Sequence, residues 1–319
     1  MKTVYLKTDG DSFYGLGHVY RSIALAKFID ENNLKTIFVT DKPVSSELVQ
    51  ALQQANRIFI TCDDLLKSHK DTDYLIYDMP YLDEVFINAT KKLNFVKKIG
   101  LDFFYYENDF IDSALNLFSH GDPKKAIFKI KESIAYAILR EPILSSVRAL
   151  EVNQSVAKKI LITFGSTDPK NNTCSVMKVI PDKDQIIDII LGPLFNHNEE
   201  LKKVISNFKN SRINIFKNVS NMEDFILNTG YVICGGGTTL LETIYLCKPA
   251  IVVAQTAEEL NFARSLEAQG LCCVIESNSL DAVDFNQFSQ FEFQQKLTNG
   301  CKNIENGSGK KLILEELLG

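Results

Sequence analysis

The sequence predicts an α/β chain of two domains, each a parallel sheet covered by helices, and three observations carry that expectation. Short apolar runs alternate with segments of helical spacing. The alternation falls into two series separated by a polar stretch, and glycine-containing polar motifs follow several of the strand-like runs. The length of 319 residues exceeds what one core usually holds, so two domains of about 150 residues are the default.

The first series comprises Val4–Lys7, Thr36–Thr40, Arg57–Ile60, Tyr74–Tyr77, Val96–Leu101 and Leu115–Phe118. The second comprises Lys159–Phe164, Ile186–Leu191, Ile213–Phe216, Tyr231–Cys234, Ala250–Ala254 and Cys272–Ile275. Between them Glu141 to Ala157, with Pro142, Ser145 and Ser146, reads as an interdomain linker and hinge. The domains are therefore expected at 1–145 and 158–319, the second including a mostly helical tail from Phe285 to Gly319. Loops at the carboxyl ends of parallel strands bind ligands, and two such sheets are expected to face each other across a cleft.

Composition narrows the partners. A formal charge of -5 opposes a nucleic-acid polyanion as the main partner. There is no run of about 18 apolar residues and no hydrophobic leader at the N-terminus, so no integral membrane segment and a cytoplasmic location are expected. The seven cysteines form no C-x-x-C and read as reduced structural thiols. No H-E-x-x-H occurs among the four histidines, and neither a metal nor another cofactor is expected. His69, His120 and His197 sit in polar surroundings and read as surface residues.

Gly15-Leu16-Gly17-His18 follows the first strand across a loop read as Lys7 to Ser12 and opens a helical pattern in which Val19, Ile23, Ala24, Leu25, Ala26 and Phe28 form the apolar face. A dinucleotide fingerprint would need a third small residue where Tyr20 stands, and about seven residues separate strand from glycines where that motif allows almost none. Asp41, at the end of the next strand, is the acid that such a site would require. A glycine turn with a helix-capping histidine, or a histidine base at a cleft, remain as readings. Gly165-Ser166-Thr167-Asp168-Pro169 follows the first strand of the second series. Gly235-Gly236-Gly237-Thr238-Thr239-Leu240-Leu241-Glu242 then offers backbone N–H groups, hydroxyls and a helix N-terminus to a phosphate, with Glu242 one turn on, where a carboxylate can hold a ribose. No Lys-Ser/Thr follows, which excludes a P-loop; a plain turn capped by Thr238 or Thr239 is the other reading.

The segment Gly235 to Glu242, with Lys248 to Val253 and Ala263 to Gly270, resembles the donor-binding domain of GT-B enzymes similar to the MurG glycosyltransferase. Lys7-x-Asp9 with Gly15-x-Gly17-His18-x-x-Arg21, Tyr136 to Glu141, and Gly165 to Asn171 resembles the PseG family at matching order and spacing. That resemblance implies two Rossmann-like domains facing a cleft. It also implies a metal-independent hydrolase that releases UDP from a UDP-linked diacetamido trideoxy sugar on the way to pseudaminic acid. His18 is then the catalytic histidine, Glu242 contacts the uridine ribose, and Gly236, Gly237, Thr238 and Thr239 hold the diphosphate. Asp9, Gly15, Gly17, Arg21, Asp78, Tyr81, Gly165, Ser166 and Thr167 fall on the remaining motif positions. Two departures are expected at the sugar end: Glu258-Glu259 replaces an Asn-Gln pair, and Asp78-Met79-Pro80-Tyr81 loses a histidine and displaces a tyrosine.

The chemistry fits independently. UDP leaves as a stabilised anion, so one base suffices, and His18 would take a proton from water attacking opposite UDP. The nearest alternative is a GT-B glycosyltransferase whose acceptor hydroxyl takes the place of water, with Glu258 as a second candidate base; a non-catalytic nucleotide-sugar-binding protein is the third. Peripheral membrane contact belongs to the transferase reading alone, through Lys91, Lys92, Lys97 and Lys98 interleaved with Leu93, Phe95 and Val96.

Overall fold

The apolar runs form strands buried on both faces, which is why they read as continuous rather than alternating. The computed structural model describes residues 2–10, 16–40, 46–79, 81–304 and 307–319. Gly15, Asp41 and Pro80, which enter the sequence readings, lie outside these residues. The first sheet is built from β1 (Thr3–Thr8), β2 (Lys35–Thr40), β3 (Phe59–Thr61), β4 (Tyr74–Asp78), β5 (Lys97–Leu101), β6 (Ser113–Asn116) and β7 (Lys129–Glu132). All its pairs are parallel, in the order β3-β2-β1-β4-β5-β6-β7. Val4 and Leu6 enter one core with Phe38, Ile76 and Ile99, while Tyr5 joins Val39, Leu75 and Tyr77 on the opposite face.

The second sheet repeats the winding. It consists of β8 (Lys159–Thr163), β9 (Ile186–Leu191), β10 (Arg212–Lys217), β11 (Tyr231–Cys234), β12 (Ala250–Val252) and β13 (Cys273–Val274). Its order is β10-β9-β8-β11-β12-β13, again all parallel. In each sheet the order reverses beside the first strand, between β1 and β4 and between β8 and β11. Such a switch point opens a crevice at the carboxyl ends of the strands, where ligands bind.

Four expectations change. Lys7 and Thr8 complete β1 rather than opening the loop, and Lys7 is buried in an ion pair with Asp83 at 3.0 Å, its ammonium 5.0 Å from the Phe86 ring centroid. β7 went unread because Lys129-Ile-Lys-Glu132 is a half-exposed edge strand with one apolar residue. The stretch 141–157 is docked rather than loose: it carries the short helix Glu141–Ser145, and the Arg148 guanidinium donates to the carbonyls of Tyr245 and Cys301. These bonds belong to the second unit, which runs Glu141–Asn306.

The fourth change concerns the tail. The helix Gly309–Leu318 is part of the first unit, Met1–Arg140 with Gly307–Gly319, and not of the second. Ile313, Leu314 and Leu317 complete the core around Val4 and Leu25, and Glu316 pairs with Lys97 at 2.7 Å and with Lys131. Gly309 lies so close to the Ala137 carbonyl that a Cβ would collide with it. Lys97 is thus drawn inward, Lys91 pairs with Asp109 and the Lys98 ammonium lies over Phe110, so these lysines serve contacts within the unit. Among the described residues no helix is long and apolar enough to cross a membrane.

Candidate functional site

In the first unit the site grows from one helix face. The helix Gly17–Glu31 follows β1, and His18, Arg21 and Ser22 stand three and four residues apart, on the side facing β4. Asp78 ends β4 directly opposite Thr8 of β1 and is fully buried. All three helix residues bond its carboxylate. His18 Nδ1 lies 2.7 Å from Oδ1, Arg21 Nε donates to both oxygens at 3.0 Å, and Ser22 Oγ donates to Oδ2 at 2.8 Å. Arg21 also reaches Asp102 beyond β5, its Nη1 donating to Oδ2 at 2.7 Å.

The electrostatics follow from that packing. Burial alone would raise the Asp78 pKa, but the charge of Arg21 and the His18 contact outweigh it and hold the carboxyl well below the usual carboxylate range. Burial likewise opposes the Arg21 charge, and Asp78 with Asp102 overcomes it, so the guanidinium stays charged. Two groups meet His18 Nδ1, the ionised Asp78 oxygen at 2.7 Å and the Arg21 Nη2 donor at 3.1 Å; the shorter contact to the carboxylate favours the tautomer with its proton on Nδ1, in which the Nε2 lone pair is left to accept a proton. The His18 side chain remains about a quarter exposed. The arrangement is a histidine base with a carboxylate behind it, and the arginine fixes the carboxylate.

Asp9, just after β1, and Tyr81, just after β4, form a separate pair. The Tyr81 hydroxyl donates to Asp9 Oδ2 at 2.6 Å and the Gly10 N–H to Oδ1 at 2.8 Å. Gly17 is the first residue of the helix, and a Cβ there would meet open space. Asp102 carries no sequence signal beyond its place just after the run Val96–Leu101. Its position after β5, with φ at +51° and its second oxygen accepting the Leu117 N–H, shows that it is built in. Ser22 carried no signal beyond its place four residues after His18.

The second unit gathers its motifs at its own switch point. Gly165-Ser166-Thr167 follows β8, and Gly235-Gly236-Gly237 follows β11, whose last residue pairs with Thr163. Asp168 serves the backbone: its two oxygens accept the N–H groups of Asn172 and Thr173 at 2.8 and 2.9 Å and close the N-terminus of the helix Asn172–Val179. The helix Thr238–Tyr245 begins at Gly237 with no side-chain cap, so neither Thr238 nor Thr239 takes the capping role. Glu242 lies one turn in and is buried.

Glu259 departs from expectation. It was read at the sugar end of a pocket, yet its Oε2 accepts the Gly236 N–H at 3.0 Å and the Gln255 N–H at 2.8 Å, on the glycine loop itself. Burial raises its pKa against the pull of those two bonds and of Lys170. Gly236 is a glycine for a steric reason: a Cβ there would stand 2.7 Å from the Glu259 carbonyl oxygen. Glu258 is exposed on the same helix and does not share these bonds.

Two parallel sheets with this winding, each with polar loops at its switch point, define the GT-B class of protein. The chain is similar along 100% of its length to the crystal structure of Acinetobacter baumannii MurG, with a TM-score of 0.69, 13% identity and 99% of that chain covered. It is also similar to the S. aureus MnaA-UDP co-structure, with a TM-score of 0.65, 11% identity, and coverage of 98% of this chain and 95% of that one. Residues 150–315 match the glycosyltransferase family 28 C-terminal domain, and the chain belongs to that family. Among curated relatives it is 26% identical over 340 residues to an uncharacterized protein of Methanocaldococcus jannaschii, covering 97% of this chain and 69% of that protein. The spore coat polysaccharide biosynthesis protein SpsG of Bacillus subtilis is 23% identical over 286 residues, with 82% of this chain and 80% of that protein covered.

Proposed function

We propose that the chain is a glycosyltransferase-like enzyme of polysaccharide biosynthesis that takes a UDP-sugar as donor, with His18 as the base that deprotonates the attacking hydroxyl. The observation that carries the reading is the contact between His18 Nδ1 and the buried, ionised Asp78, which leaves Nε2 ready to accept a proton. Membership of family 28 and the likeness to MurG and to a UDP-bound MnaA support the donor class. The acceptor O–H proton passes to His18 Nε2, the oxygen bonds the anomeric carbon, and the bond from that carbon to the diphosphate oxygen breaks with its electron pair on UDP. The Thr238 and Thr239 hydroxyls, the N–H groups at Gly236 and Gly237 and the helix N-terminus stabilise the departing charge, and Glu242 holds the ribose. Gly165, Ser166 and Thr167 complete the donor site. Asp9, Gly17 and Tyr81 contact the sugar or the acceptor, with Glu258 a second candidate for that side. Arg21 holds Asp78 in place.

A second reading, hydrolysis, is favoured by one specific observation: Gly15 to Arg21, Tyr136 to Glu141 and Gly165 to Asn171 together resemble the PseG hydrolases. Water and an acceptor hydroxyl need the same base, so the site serves either. Purified protein incubated with a panel of UDP-sugars, with and without sugar acceptors, and followed by NMR separates them. Turnover only with acceptor supports transfer; free sugar and UDP at an acceptor-independent rate support hydrolysis. Binding without turnover under both conditions refutes catalysis.

A further inference from the structure

The helix Ala257–Glu267 begins with Thr256-Ala257-Glu258-Glu259, a spacing at which the Thr256 hydroxyl accepts the Glu259 N–H at 3.1 Å. In a capping box the glutamate would fold back onto the Thr256 N–H. Here the carboxylate passes over that group and takes the N–H of Gln255, one residue earlier, and of Gly236 in the loop after β11. Both bonds end on the same oxygen, Oε2. Two backbone N–H groups from two different loops therefore converge on one negative oxygen beside an uncapped helix N-terminus, the arrangement that phosphates favour.

We propose that the Glu259 carboxylate is a resident competitor for the anion position of the glycine loop, so that a diphosphate binds there only as this carboxylate takes a proton or swings away. The proposal rests on the donor reading above and adds what regulates it. Carboxylate and phosphate oxygens are both acceptors and need the same N–H groups, so the two anions exclude each other. A protonated Glu259 removes the repulsion and supplies an O–H donor to the phosphate. Binding of a dianion then takes up a proton, and donor affinity rises as pH falls. The charged and titratable groups that act on Glu259 are Glu258 on its own helix, Lys170 in the loop after β8 and the Cys234 thiol at the end of β11. Glu258 adds to the upward shift that burial gives Glu259, Lys170 opposes it, and burial keeps Cys234 a neutral thiol.

The test uses the full chain and UDP-N-acetylglucosamine, whose two phosphodiester-type charges do not titrate between about pH 5 and 8, so that any pH dependence belongs to the protein. Calorimetric titration of wild type is expected to show affinity increasing as pH falls across that range. Glu259→Gln keeps the acceptor and loses the charge; it should bind at least about fivefold tighter than wild type at pH 8, with a flat profile. Without ligand, the Gly236 and Gln255 amide protons should shift in NMR spectra with a midpoint above the ordinary glutamate value, and Glu259→Gln should abolish the shift. Wild type and Glu259→Gln binding equally at every pH would overturn the inference and leave the donor reading intact. An absent amide titration would overturn the geometry on which it stands. No binding by either protein at any pH would remove the donor reading and the inference with it.

Discussion

Replacing Asp78 by asparagine tests the first-unit site at its most connected atom group. The wild-type carboxylate is fully buried and accepts from His18, Arg21 and Ser22. Losing one partner of a buried ion pair costs about 3–5 kcal/mol. Arg21 keeps Asp102, and asparagine keeps an acceptor oxygen, so about 3 kcal/mol is the expected loss, or about 6–12 °C in the melting temperature of a unit this size. The sign with pH is fixed by the downward shift of Asp78. Its stabilisation is complete above the ordinary aspartate range and is lost as pH falls below about 4. The difference between wild type and Asp78→Asn should therefore be full at pH 7 and narrow on acidification. Turnover should fall further than stability explains, by about 10³–10⁴ at a temperature where both proteins are folded, because an amide facing Nδ1 no longer selects the productive tautomer. Calorimetry at pH 7 and pH 2.5 together with UDP-release kinetics measures all three. A variant that melts within 1 °C of wild type at pH 7 would refute the account of the buried pair, and unchanged turnover would refute the role of Asp78 in setting His18.

Three further outcomes follow from other contacts. His18→Ala should lower turnover by about 10²–10⁴ while leaving UDP affinity nearly unchanged; full activity would remove His18 from the reaction. Gly236→Ala places a methyl 2.7 Å from the Glu259 carbonyl oxygen, so about 1–3 kcal/mol of stability and most UDP affinity should be lost. Calorimetry that finds wild-type binding would clear the glycine loop of that duty. For Glu316, burial would raise the pKa, but Lys131 and Lys97 pull it down to about 2. Glu316→Gln should cost about 1–2 kcal/mol at pH 7 and progressively less as pH falls from the ordinary glutamate value toward 2; denaturant melts at pH 7 and 3 would expose a deficit that does not narrow.

The strands were legible because both faces of each sheet are covered, which writes every central strand as an apolar run. β7 was not, since an edge strand half in water has no such need. His18 and Arg21 were legible from their spacing and Asp78 from the resemblance, but Asp102 was not, and that Arg21 bonds both acids emerges only because β4 and β5 place them at neighbouring strand ends. Glu259 was visible as a residue, but its bonds to the glycine loop were not. A side chain three residues into a helix usually bonds its own cap, and only the close approach of Gly236 turns it toward another loop. The last helix could not be assigned from periodicity, because an apolar stripe shows that a helix packs without showing on what.

That last helix has a consequence for how the protein is made. The first unit begins at Met1 and ends at Gly319, with residues 141–306 inserted between its two parts. On a ribosome adding about 5–20 residues per second, about 9–36 s pass between Arg140 and Gly319, and the whole inserted unit is made in that time while the first waits for its final helix. Until then Val4, Leu25 and Ile138 lack the cover of Ile313 and Leu317. A stalled or nicked chain missing those last residues would therefore release a finished second unit tethered to a first unit with an open, sticky core, and quality-control proteases would meet that half first.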